Sequence, residues 1–172
     1  YTLWHTLSLH DALPISCPCG YRDDPQHACA CSESQIQRYQ AKISGPLLDR
    51  IDLHVDVPPV SYREMTTNAS AESSATIKER VVAARNIQSQ RLARSQAHCT
   101  GQMISRHIKC YCQVGPEAAR LLETGIDRLG LSARSYNRVL KVARTIADLD
   151  GAADIETPHV AEALQCRSLD RL

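Results

Sequence analysis

The chain has 172 residues, a formal net charge of +1 and 43% hydrophobic residues. That length suits one ordinary domain or a small domain with an appendage, and seven Gly, eight Pro and 23% charged residues argue against collagen, coiled coil or wholesale disorder. No run approaches the roughly 20 apolar residues of a membrane-spanning helix, and a near-neutral charge gives no global argument for nucleic-acid binding.

Residues 1–16, YTLWHTLSLHDALPIS, have neither the basic region nor the continuous apolar run of an export leader. Thr6 to Ile15 reads like a translated sequencing adapter, so this segment is expected to be an artefact or a disordered leader outside the fold. From Cys17 to Cys31 the chain is turn-rich. Ser32 then caps a short helix, Glu33 to about Ile43, with Ile36, Tyr39 and Ile43 at helical spacing. Gly45-Pro46 interrupts the backbone, and Leu47 to Arg50 can form one more turn. Ile51 to Val57 alternates apolar and polar residues, which predicts a half-buried strand that Pro58-Pro59 stops. A polar linker follows over 66–73.

The remainder reads as helices. A long charged helix runs from Ser74 to about Ala93, and a shorter one begins near Ser105. Pro116 opens a helix that Gly130 ends after Leu129. Ser132 opens the next, which reaches Leu149 and stops at Gly151; Thr157-Pro158 opens the last, ending near Leu169. Phe is absent and aromatics make up 4% of the chain, so the core must come from Leu, Ile, Val and Ala. Short connectors between helices suggest a compact bundle.

Cys17, Cys19, Cys29 and Cys31 form C-x-C, nine residues, C-x-C. In a chain without an export signal, such a cluster reads as metal before disulfide. Two close pairs can present four thiolates tetrahedrally to a structural zinc ion, with His27 in the loop as an alternative ligand. Unliganded thiols and disulfides are the competing readings. Cys99, Cys110, Cys112 and Cys166 are scattered and read as ordinary thiols.

Arg134, Arg138, Lys141 and Arg144 are spaced by four, three and three residues, so they share one helix face. Tyr136, Val139, Leu140, Ala143, Ile146 and Ala147 are left for packing on the other. Lys78, Arg80, Arg85, Arg91 and Arg94 decorate the long helix. A solvated face explains these better than DNA contact, since no aromatic side chains are interleaved for base stacking.

Three stretches carry a resemblance to a known family. Ile43-Ser-Gly-Pro-Leu-Leu-Asp-Arg-Ile-Asp-Leu-His54 resembles the segment that follows the cysteine-rich insertion of YifB/ComM proteins, AAA+ ATPases of the magnesium-chelatase-like family. Leu131 to Leu149 and His159 to Leu164, followed by Arg167-Ser-Leu-Asp-Arg171, resemble the lid of the same family. The resemblance implies a mainly α fold: an AAA+ helical lid over 74–172, preceded at 17–65 by the end of an α/β core with one or two strands. It implies that Arg50 is an arginine finger acting in trans, and that Arg134, then Arg138, is the lid's nucleotide sensor. Local sequence leaves open that Arg50 merely pairs with Asp49 or Asp52.

The implied cofactor is ATP with Mg. The implied assembly is a homo-oligomeric ring, a hexamer, working in the cytoplasm as a DNA helicase or branch-migration motor in competence and recombination, without membrane contact. The chain itself contains no G-x-x-x-x-G-K-[ST] loop to wrap phosphates, so this segment alone is expected not to hydrolyse ATP. A standalone zinc-plus-helix interaction module and a DNA-binding module are the alternatives.

Overall fold

The computed structural model describes residues 17–22, 24, 26–42, 46, 50–55, 60, 66 and 72–167. They fall into two compact units. The first holds residues 17–42, 60 and 66, and the second holds residue 46, residues 50–55 and residues 72–167. Segment 1–16, residues 47–49 of the turn expected at 47–50, Pro58-Pro59, most of the 66–73 linker and the end of the last helix beyond 167 lie outside the described residues.

In the first unit, helix α1 spans Glu33–Gln40. Ser32 and Gln35 form a reciprocal capping box: the Ser32 hydroxyl accepts from the Gln35 N–H at 3.4 Å, and the Gln35 side chain accepts from the Ser32 N–H at 2.9 Å. The helix buries Ile36 and stops three residues short of the expected Ile43.

The second unit is an all-helical bundle. Helix α2 is Ser74–Arg91, capped by Ser73. A 3-10 turn at Thr100–Gln102 leads to α3, Ser105–Tyr111. Helix α4, Pro116–Leu129, has Pro in its first turn and ends at Gly130, whose φ of 60° is the left-handed conformation that glycine accepts freely. Helix α5, Ala133–Leu149, is capped by the Ser132 hydroxyl, and α6 is Thr157–Gln165.

Helix α5 is the central element, packed against α2, α3 and α6, while α4 packs on α6. Val139, Leu140, Ala143 and Ala147 of α5 meet Leu92, Met103, Ile108, Leu122, Ile155 and Val160 in one cluster. Tyr136, expected on the packing face, is exposed, and Ser135 is buried in its stead. Gly125 of α4 lets α6 approach closely: a Cβ there would lie 2.6 Å from Leu164 Cδ1. An isolated parallel bridge between Val114 and Ile155 brings the starts of α4 and α6 side by side.

The strand expected at Ile51–Val57 is not formed over its described residues, 51–55. The only β pairing among the described residues is the Val114–Ile155 bridge. Burial along the segment also runs opposite to the alternation: polar His54 is 6% exposed, whereas Leu53 and Val55 are 50% and 74% exposed. Its backbone groups bond to the helical bundle instead of to a neighbouring strand, as the His54 N–H to Cys166 carbonyl bond at 2.7 Å illustrates. No described helix is long and apolar enough to cross a membrane.

Candidate metal centre and lid arginines

The cysteine cluster is assembled by two turns and a helix cap. Cys17-Pro-Cys19-Gly20 closes with the Gly20 N–H donating to the Cys17 carbonyl at 3.2 Å, and Gly20 takes a φ of 82°. Cys29 and Cys31 approach from the far side, and the capping box beginning at Ser32 fixes the chain immediately after Cys31. The sulfurs of Cys17 and Cys19 lie 3.4 Å apart, Cys19 and Cys29 3.5 Å, and Cys29 and Cys17 3.8 Å. All four sulfurs are within 4.8 Å of one another, and all eight cysteines of the chain are free thiols.

A tetrahedron with Zn–S bonds of about 2.3 Å has edges of about 3.8 Å, so the cluster has the dimensions and donor chemistry of a Cys₄ zinc site. The same crowding separates the thiols electrostatically. The Tyr21 N–H, then the Cys17 thiol, hold Cys19 down at about 6. The Cys31 N–H favours the Cys29 thiolate, but desolvation and the Cys19 and Cys17 sulfurs push Cys29 up to about 12. A lowered thiol at Cys19 beside the raised thiols of Cys29 and Cys31 is a natural entry point for a cation. His27 lies outside the four-sulfur group; its Nδ1 lies 3.1 Å from the Asp24 carboxylate and its ring 4.9 Å from that of Tyr21.

The four cations expected to share a face of α5 have four different fates. Arg134 is exposed and makes no ion pair among the described residues. Arg138 pairs with Asp52. Lys141 donates to the Gly101 carbonyl at 2.9 Å. Arg144 is 2% exposed, donating to Asp148 at 3.0 Å and to the Ala152 and Ala153 carbonyls at 2.7 and 2.8 Å. The basic face is therefore largely an internal bonding face.

Asp148, fully buried, also takes both terminal nitrogens of Arg91, at 2.8 and 2.5 Å, and this ties α2 to α5. Arg91 thus leaves the set of cations on α2 open to an outside partner. Arg80 is likewise engaged, by Glu72 at 2.9 and 3.1 Å.

Arg50 is exposed, at the start of the 50–55 segment. What sequence reasoning missed is Arg167. It is 1% exposed, and its guanidinium donates to the Ile51 carbonyl and, at 3.3 Å, to the Ser135 hydroxyl. Its partners lie 116 and 32 positions away, so no local pattern signals them. An open cavity of about 770 Å³ beside the Val114–Ile155 bridge, lined by Glu117, Asp154 and Glu156 among others, contains none of these cations or cysteines.

Comparison with known families places this architecture. The family described as "Magnesium chelatase, subunit ChlI C-terminal" matches residues 71–167. The family described as "Magnesium chelatase, subunit ChlI" matches residues 12–65, starting inside the N-terminal segment. The chain is 42% identical over 142 residues to Competence protein ComM of Haemophilus influenzae, an alignment covering 82% of this chain and 27% of that protein. It is 43% identical over 143 residues to YifB of Salmonella typhimurium, covering 83% of this chain and 28% of that protein. Identity to YifB of Escherichia coli is 42% over 143 residues, with the same coverage. The chain thus spans little more than a quarter of the length of these relatives.

Proposed function

The chain belongs to the magnesium chelatase ChlI family, and from that premise we propose that it supplies the arginine finger and the nucleotide-sensing lid of an AAA+ ATPase ring. The observation that carries this reading is the state of two arginines, Arg50 and Arg134, beside an α5 face whose other cations, Arg138, Lys141 and Arg144, are engaged. Arg50 is exposed, and Arg134 stands exposed and unpaired among the described residues on the first turn of α5. Both are available to a phosphate.

In the ring, Arg50 would reach the γ-phosphate of ATP bound by the neighbouring subunit, where its guanidinium neutralises charge developing in the transition state. Such a finger contributes roughly 10³- to 10⁵-fold in rate. Arginine suits the task because it stays charged and presents a planar fork to phosphate oxygens. Arg134 would contact the phosphates bound by its own subunit, with Mg alongside them. We extend this reading to ATP-driven movement on DNA by a ring of six copies; the relative ComM is named for competence. The four cysteines would hold one structural zinc ion, supported by their spacing and by the lowered Cys19 thiol.

The test is Arg50→Ala in a protein extended to the length of its relatives. Turnover should fall about 10³-fold or more while ATP binding is retained. Turnover at the parental rate would remove Arg50 from the role.

A further inference from the structure

The finger segment is bonded to the lid. Three contacts attach residues 51–54 to helix α5 and to the two residues that follow α6: Asp52 pairs with Arg138 of α5, Arg167 donates to the Ile51 carbonyl, and the His54 N–H donates to the Cys166 carbonyl at 2.7 Å. Arg167 joins them, because its other terminal nitrogen reaches Ser135 on the first turn of α5. Every one of these attachments falls within four residues of Arg50.

We infer that Arg138 and Arg167 are positioning residues that clamp the Arg50 segment to the lid, so that finger and lid move as one body. Resting on the finger reading, this assigns Arg138 a task other than phosphate contact. The nucleotide held beneath a subunit's own lid then sets where that subunit's Arg50 points, because lid displacement carries residues 51–54 with it. Within one subunit the sensor at Arg134 and the finger at Arg50 sit on the same rigid body, at opposite ends of the clamp. The chemistry requires both bonds: an ion pair fixes Asp52 laterally, and a charged donor buried at the Ile51 carbonyl fixes the backbone.

Amide exchange at His54 in this chain reads the clamp directly. Arg138→Gln should speed His54 exchange about two- to fivefold, the size expected for a part-exposed ion pair. Arg167→Lys, which cannot fork between Ile51 and Ser135, should speed it about tenfold or more. Amides within α4 should keep their rates, which separates loss of the clamp from general unfolding. The reversed pair, Asp52→Arg with Arg138→Asp, should restore slow exchange. In the longer protein, Arg138→Gln should lower kcat with the KM for ATP unchanged, and the reversed pair should recover kcat. Exchange at the parental rate in both single variants, or no recovery by the reversed pair, would overturn the clamp; so would a loss confined to KM, which is the signature of a phosphate-contacting sensor. If exchange responds as expected and Arg50→Ala leaves turnover intact, the clamp holds and the finger reading alone is lost.

Discussion

Among its described residues the cysteine unit buries two apolar side chains, Cys17 and Ile36, whereas the helical unit gathers fourteen into one cluster. The helical unit adds an Arg91–Asp148–Arg144 triad, with Asp148 and Arg144 buried and Arg91 partly so. Two buried side chains cannot offset the conformational entropy of some two dozen ordered residues, at about 1–2 kcal/mol each for the backbone. Four sulfurs at tetrahedral spacing would, with zinc bound, add a cross-link to these residues. The large unit needs none, because its core and its triad already fix how its helices pack. A metal does for a short segment what apolar volume does for a long one.

The sharpest way to break this contrast is to remove the metal. A chelator, or Cys29→Ser with Cys31→Ser, should release about one zinc ion per chain and abolish exchange protection in α1. Zinc binding contributes on the order of 10 kcal/mol or more in small metal-folded segments. The thermal midpoint of the helical unit should not move. Metal-free protein with α1 still protected would show that the cysteine unit folds on its own.

The converse experiment is Asp148→Ala. Leaving two arginines without their shared carboxylate inside the bundle should cost about 3–5 kcal/mol in unfolding measurements of the helical unit. Zinc content should stay at the parental level. Equal stability would mean that water reaches the triad.

The smallest effect sharpens the contrast within the cysteine unit. Ser32→Ala removes half of the capping box and should lower the stability of α1 by about 1 kcal/mol, read as faster exchange in Glu33–Gln40. With zinc bound, Cys31 should hold the helix start in place and mask part of the loss. A loss of α1 protection in the zinc-bound variant as complete as that caused by zinc removal would contradict the proposed division of labour.

The helices were legible because their signals are local. Ser32 and Ser132 cap where the pattern indicated, Pro116 opens α4, and Gly130 closes it. The cysteine cluster was legible for the same reason, since both C-x-C pairs lie within fifteen residues. The 51–55 segment was misread because alternation predicts a strand only where a partner strand is available, and here the bonding partners are helical residues. The bonding of the basic face of α5 was not legible because charge spacing is local but charge partners are not. Asp52 lies 86 positions from Arg138, and Arg91 lies 57 from Asp148. Arg144–Asp148 was within reach, being an i, i+4 pair, yet nothing in the pattern told that it would be buried.

Helix α2 bears on the mechanics of the molecule. Its residues 74–83 are all exposed, while Ala84, Gln88, Arg91 and the following Leu92 make its buried contacts. In engineering terms it is a cantilever: about 15 Å of free rod, at 1.5 Å per residue, rooted at one end. A tilt of about 10° at the root would swing the free tip by about 3 Å over that length. The stiffness of the root, set by the packing of Ala84, Gln88 and Leu92 and by two nitrogens of Arg91 on one carboxylate, governs how far thermal tilting carries that tip.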